Sequence, residues 1–145
     1  MKYAKYPFTV GEAHTKYEFT SEGHKGSIIK TVVYAQIRSG IFNLSFGDWN
    51  SEIDKMDDSI TSNNGDRDKV LATVAATAIE FTNNYPGALI YTEGSTPART
   101  RLYQMAIAKN LEEISENFEI EGYINRIWEP FQKGRNYEAF LVKRK

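Results

Sequence analysis

The chain has 145 residues, 41% hydrophobic and 13% aromatic, with 18 basic against 19 acidic side chains and a net charge of −1. That is the length of one domain with a core of its own. Balanced charge gives no bulk pull toward nucleic acid or membrane, and the lack of cysteine excludes disulfides and thiolate metal sites and fits a reducing cytoplasm. No apolar run approaches a membrane span, and Met1 to Pro7 has no apolar segment of the signal-peptide kind. A cytoplasmic single domain over residues 1–145 is expected.

Pro7 to Glu12 reads as a short edge strand. Tyr17, Phe19 and Ser21 alternate with Lys16, Glu18 and Thr20, the two-residue period of a half-buried strand. Gly23-His24-Lys25-Gly26 is a hairpin turn. Ile28 to Ile37 is β-branched and aromatic and forms a long strand, closed by Arg38-Ser39-Gly40. Ile41 to Phe46 is a third strand with Phe42, Leu44 and Phe46 on one face. Gly47 to Gly65 is polar and without period, and is expected to be a long loop.

Asp66 is placed as the N-cap of a helix from Arg67 to Tyr85, whose stripe is Val70, Val74, Ala78, Phe81 and Tyr85; Pro86-Gly87 ends it. Ala88 to Tyr91 is apolar throughout and reads as a central strand. A second helix starts with Thr96 as N-cap and Pro97 at its first position and runs to about Glu116, burying Tyr103, Ala106, Ile107, Leu111 and Ile114. Phe118-Glu119-Ile120 begins a strand that Gly122 breaks. Tyr137 to Val142 is the last, with Tyr137, Ala139 and Leu141 on one side. The order β-β-β-α-β-α-β-β predicts an α+β fold, a mostly antiparallel sheet packed against two main helices.

Charge is unevenly spread. Residues 48–68 hold seven acids against two bases, a balance of −5, and residues 98–145 hold nine bases against seven acids, +2, ending in Lys143-Arg144-Lys145. The most informative stretch is Gly94-Ser95-Thr96-Pro97-Ala98-Arg99-Thr100-Arg101-Leu102-Tyr103. Two arginines stand in the first helical turns, where the macrodipole disfavours cations. Arg99 precedes Tyr103 by four residues and so lies on the apolar stripe. A buried cation needs a negative partner. Asp48, Asp66 and Asp68 are the candidate internal counter-charges. The alternative is a ligand: Gly94, Ser95, Thr96, Arg99, Arg101 and Tyr103 would form a phosphate or carboxylate site. Glu93 weighs against it, and the string is not a P-loop.

Asp57-Asp58 and Asp66-x-Asp68 would offer oxygen ligands to Mg²⁺ or Ca²⁺, but no EF-hand frame fits, and the helix start alone explains Asp66 and Asp68. His14 and His24 are far apart in sequence. No metalloprotease, serine-nucleophile or triad spacing is present, so no catalytic residue, metal or cofactor is assigned.

The strings Phe42-Asn43-Leu44-Ser45-Phe46-Gly47-Asp48, Asn64-Gly65-Asp66-Arg67-Asp68 and Gly94-Ser95-Thr96 with Arg99-Thr100-Arg101-Leu102-Tyr103 occur together here. With them, residues 10 to 143 resemble a family of small bacterial proteins of unknown function, common in Bacteroidetes. The resemblance implies a cytoplasmic single-domain protein and transfers no activity. The element order is also similar to the later part of a GNAT-type acetyltransferase, where the helix after the fourth core strand binds the cofactor pyrophosphate. The equivalent turn, Asn64 to Asp68, lacks that family's Arg/Gln-x-x-Gly-x-Gly/Ala pattern, and its two aspartates would repel a pyrophosphate.

With no catalytic constellation, the first reading is a non-enzymatic interaction module. Its partner, another protein, a second copy of the chain or a nucleic acid, would touch Gly94–Tyr103 and the 48–66 loop. The second is a small enzyme or binding protein for an anionic metabolite. The third is nucleic-acid binding through Arg126, Lys133, Arg135 and the basic tail.

Overall fold

Alternating apolar residues fold the first fifty positions into a meander. The computed structural model describes residues 4–50, 55–57 and 64–145. Strands β1 (Thr9–Val10), β2 (Lys16–Gly23), β3 (Gly26–Arg38) and β4 (Ile41–Asn50) pair antiparallel in succession. A short β5 (Lys55–Asp57) folds back on the end of β4. Helix α1 (Arg67–Asn84) then leads to β6 (Leu89–Thr92), which runs parallel to the start of β4 with Ile41 opposite Leu89. Helices α2 (Pro97–Lys109) and α3 (Leu111–Asn117) lead to β7 (Phe118–Ile124), and β8 (Ile127–Pro130) turns back on it. The last strand, β9 (Ala139–Arg144), slots between β6 and β7, antiparallel to both. The sheet order is β1-β2-β3-β4-β6-β9-β7-β8 with β5 on β4.

The period of two puts Tyr17, Phe19, Val32, Tyr34 and Phe42 on one face, where they are buried. All three helices cover this face. The Tyr34 ring stacks on Phe81 of α1 at 4.2 Å, and Phe42 meets Phe81 edge-on at 5.0 Å. Burial of each such ring stabilises by roughly 2–3 kcal/mol. Three threonines are buried on α1, and each returns its hydroxyl proton to its own helix. Thr77 also meets the Tyr34 hydroxyl at 2.9 Å, and Thr73 accepts the Tyr6 N–H. The N-terminal segment is thereby pinned to the helix.

The α+β class and the main helices stand as expected from the sequence. Four details differ. The expected loop from Gly47 begins as strand, since β4 runs to Asn50 and β5 follows; residues 51–54 and 58–63 of it lie outside the described residues. The second helix divides at Asn110, whose backbone N–H and side-chain amide both bond Ala106 O, ending α2 before α3 starts. Gly122 does not break a strand but sits within β7 opposite Phe140. It is glycine because a Cβ there would fall 2.3 Å from the Tyr137 ring. Tyr137 therefore packs with Phe131 and Phe140 rather than beside Ala139 and Leu141. Strand β8 is an addition. Its hairpin turns at Asn125 and Arg126, both at positive φ (53° and 64°).

Candidate functional site at the carboxyl end of the parallel strands

Strands β4 and β6 are paired over only three residues, and Thr92 Oγ1 donates to Leu44 O at 3.1 Å just beyond them. After that β4 continues alongside β5, while β6 ends and the chain turns into α2. Where neighbouring parallel strands part at their carboxyl ends, an open α/β sheet offers a crevice to ligands. The starts of α1 and α2 both lie at this end.

The α2 start is a closed hydrogen-bond circuit. Thr96 Oγ1 accepts the Arg99 N–H at 3.2 Å, the expected N-cap. Thr100 Oγ1 accepts the Gly94 N–H at 2.9 Å and donates to Thr96 O at 3.2 Å. Gly94 is pressed so close that a Cβ would lie 2.3 Å from Thr100 N. Gly94, Thr96 and Thr100 thus have structural work, and Ser95 and Thr96 face solvent. Arg99 is buried at 7% exposure, whereas Arg101 is exposed. Tyr103, half-buried, packs its ring on Phe46 of β4 at 5.7 Å.

That ring contact fixes the level of Arg99. One helical turn separates Arg99 from Tyr103, about 6 Å toward the start of α2. Two strand residues separate Asp48 from Phe46, about 6.6 Å toward the end of β4. The two steps run the same way, toward the carboxyl end of β4 and β6. Asp48 faces Lys30 directly across the β3–β4 pair, and Lys30 Nζ donates to Asp48 Oδ1 at 2.5 Å. Lys30 is 6% exposed. Arg99 and Lys30 are both buried, and Lys30 is paired with Asp48.

The other two expected counter-charges serve elsewhere. Asp66 occupies the N-cap position of α1, yet its side chain caps nothing. Its Oδ2 instead accepts the hydroxyls of Tyr6 and Ser21, each at 2.5 Å. Burial, then the bond to Asp66, raises the Tyr6 hydroxyl above its usual pKa. Beside it Asn64, 3% exposed, accepts the Lys25 N–H at 2.6 Å and donates to Gly26 O at 2.9 Å and Ser21 Oγ at 3.2 Å. The α1 start is thus clamped to the β2–β3 hairpin, and its own acid stands where a pyrophosphate would have to lie. Asp68 is bridged by Lys109 of α2 at 3.1 Å on the surface.

Between the three helices and the sheet lies a largely apolar groove of about 170 Å³, partly open to solvent, lined by Phe46, Thr92 and Tyr103 and, from α3, by Glu113, Ile114 and Asn117. Sequence reasoning did not find it. Nor did it find Lys30, although a lysine between Ile28 and Val32, at the inward parity of a strand, was a readable signal.

The remaining candidates are scattered. Among the described residues no group of three or more His, Asp or Glu is placed to hold a metal. His14 lies 3.9 Å from Glu80, and His24 lies beneath Gly65 at the hairpin. Asp58 lies outside the described residues. Arg135 Nε is 2.9 Å from Glu129 Oε2, an ion pair by distance whose N–H is not aimed at the oxygen. Arg144 is held by Ile79 O, Thr82 and Asn83 at the end of α1, where a cation complements the helix dipole. Among the described residues no helix is long and apolar enough to cross a membrane.

No curated protein and no solved structure matches the chain. A family model described as a family of unknown function, DUF6934, matches residues 2–145, somewhat more than the stretch whose strings carried the resemblance, and with that the chain belongs to this family.

Proposed function

We propose that the protein binds a small organic anion in the crevice between the diverging ends of β4 and β6. The observation that carries this reading is the burial of Arg99 at the start of a helix, one turn from Tyr103, whose ring packs on Phe46 of β4. A guanidinium is a planar fork suited to hold a carboxylate or phosphate by two bonds. Arg101 and Ser95, exposed at the rim, would meet the anion as it enters. Binding needs no catalytic group. A phosphate at the start of α1, as the similarity to acetyltransferases would place it, is disfavoured by Asp66 and the Asn64 clamp.

The test is a thermal-shift screen of nucleotides, coenzyme A species, sugar phosphates and small carboxylates. A ligand at a hundred times its Kd is expected to add about 2.7 kcal/mol of stability. Arg99→Met should abolish the shift and Arg101→Met should reduce it. Silence across the panel, or a shift indifferent to Arg99→Met, overturns the reading.

A second reading, as a protein-interaction module, has one observation in its favour. On the sheet face away from the helices, Trp128 is 38% exposed and packs with Tyr91 and Tyr123 at 6.1 and 5.0 Å. Exposed aromatic clusters are enriched at interfaces. Light scattering across a concentration series, with Trp128→Ser as control, should show self-association that the variant loses. A concentration-independent monomer in both removes the second copy as partner.

A further inference from the structure

We propose that the sheet face turned away from the helices binds a small quaternary ammonium cation in the corner between Tyr91 and Trp128. The site is separate from the crevice and does not draw on Arg99. The strand period puts Tyr91 of β6, Ala139 and Leu141 of β9, Tyr123 of β7 and Trp128 of β8 on this face. Three strand-to-strand steps separate β6 from β8, roughly 14 Å. The rings of Tyr91 and Trp128 nonetheless approach to 6.1 Å between centroids, and Trp128 meets Tyr123 at 5.0 Å. They lean together over Ala139, whose small side chain is buried beneath them while Trp128 stays exposed. Tyr91 and Trp128 stand at 75° to each other. Two faces that close to perpendicular, with centroids 6.1 Å apart, share a point roughly 4.3 Å from each. A cation is attracted to a ring within about 6 Å of its centroid, so one ion there meets both rings.

Charge on this face complements a cation. Thr92 pairs with Phe140, so Glu93, one residue on, comes level with Ala139, in the row that Tyr123 and Trp128 continue. It is exposed beside the corner. Glu121 stands two residues before Tyr123 on the same face, and Glu138 directly precedes Ala139. Burial raises the Tyr91 hydroxyl above its usual pKa, and Glu93, Tyr123 and Glu138 raise it further, so both carboxylates are felt at the ring. Of the bases nearby, Lys143 stands opposite Glu119, and Arg126 is exposed in the β7–β8 turn.

The class of cation follows from hydration. A primary ammonium is compact and strongly hydrated, and would give up that water at an open surface for few contacts. A quaternary ammonium holds water weakly, and its methyl groups can lie on both ring faces while its charge answers Glu93. A neutral apolar molecule would leave the carboxylates without a role, and a zwitterion would bring a carboxylate against them. The rings span one head group, which fits a free molecule of the size of choline rather than an extended chain.

The experiment is an NMR titration of the full chain, at constant ionic strength, with choline, tetramethylammonium and the neutral isostere of choline in which carbon replaces nitrogen. Both cations are expected to shift the Trp128 indole and the β6 amide signals saturably in the millimolar range, with the isostere about tenfold weaker. Trp128→Leu and, independently, Tyr91→Leu keep apolar cover over Ala139 and should each weaken choline about tenfold. Trp128→Phe should recover part of that loss. Glu93→Gln should weaken both cations about threefold and leave the isostere unchanged. Equal affinity for choline and its isostere, or cation binding indifferent to Trp128→Leu, Tyr91→Leu and Glu93→Gln, overturns the inference. So does the lack of a saturable shift from either cation. A trimethyllysine peptide that binds more than about tenfold tighter than choline overturns the assignment to a free molecule.

Discussion

At the carboxyl end of the parallel strands two glycine-containing turns lead into helices, Asn64-Gly65-Asp66 into α1 and Gly94-Ser95-Thr96 into α2. The first is sunk into the protein. Asn64 ties it to the β2–β3 hairpin, and its carboxylate is covered by the hydroxyls of Tyr6 and Ser21. The second has bonds within itself, through Thr96 and Thr100, and leaves Ser95 and Thr96 exposed while Arg99 is buried. Both helix starts are positive ends of a dipole. One is answered by an acid of the chain; the other has a cation added to it. The difference teaches that a glycine turn before a helix does not identify a ligand site. What distinguishes the two is the charge that each turns into the protein, the half-buried Asp66 carboxylate against the buried Arg99 guanidinium.

Breaking the first region should cost most. A Cβ on Gly23 would lie 1.8 Å from Asn64 O, against backbone that the clamp holds in place. Gly23→Ala is expected to lose about 3 kcal/mol or more, read from urea unfolding, since neither the hairpin nor the clamp can give without losing buried bonds. Ligand binding at Arg99, measured on the remaining folded protein, should hold. A Gly23→Ala protein of normal stability would mean that the clamp is loose and the contrast between the two turns is false.

The second region should be softer. Thr100→Val keeps the shape of a buried side chain but removes the acceptor for the Gly94 N–H and the donor to Thr96 O. The expected loss is about 1.5 kcal/mol. Because Thr100 adjoins Arg99, this variant should also weaken anion binding, which Gly23→Ala should not. Equal effects of the two variants on binding would erase the distinction between a structural turn and a ligand-bearing one.

How far such a contrast can be read from sequence depends on the range of the interactions. Tyr17 and Phe19 alternate with charged neighbours, and Arg99 stands four residues before an apolar Tyr103. Both are local periods, so the strand and the inward arginine were legible. The partners of Asp66 were not, because Tyr6 and Ser21 lie 60 and 45 residues away. A carboxylate before a helix reads as a cap, and only the fold reveals that it faces two hydroxyls instead. The division at Asn110 was hidden because Leu111 and Ile114 continue the helical stripe across it. Strand β8 was hidden because its turn is Asn125-Arg126, with no glycine to mark the positive φ. The apolar groove has no sequence signature, since the alanines that line it also read as close helix packing.

The smallest expected effect sharpens the comparison through pH. Tyr6 donates its hydroxyl to Asp66 Oδ2 and accepts the Glu22 N–H, so the clamp requires the neutral phenol. Burial and the adjacent Asp66 raise its pKa in the folded chain above the unfolded value of 10. Tyr17, dehydrated and near Glu80, is pushed up to about 12. Above pH 10 the unfolded chain releases these protons while the folded chain keeps them, so the unfolded state binds fewer protons and stability falls as pH rises. The contribution is intact below pH 10 and is lost progressively as pH climbs through the raised folded values, toward 12 for Tyr17. Tyr6→Phe should therefore cost about 1 kcal/mol at pH 7, through the lost bond to Asp66. It should also make the alkaline decline shallower than in the parent, as read from denaturant midpoints between pH 9 and 11.5. The α2 turn depends on threonine hydroxyls, which do not titrate in this range, so the cost of Thr100→Val should not change with pH there. A parent and a Tyr6→Phe protein with parallel alkaline profiles would place the Tyr6 proton outside the clamp, and would leave Asp66 to be held by Ser21 alone.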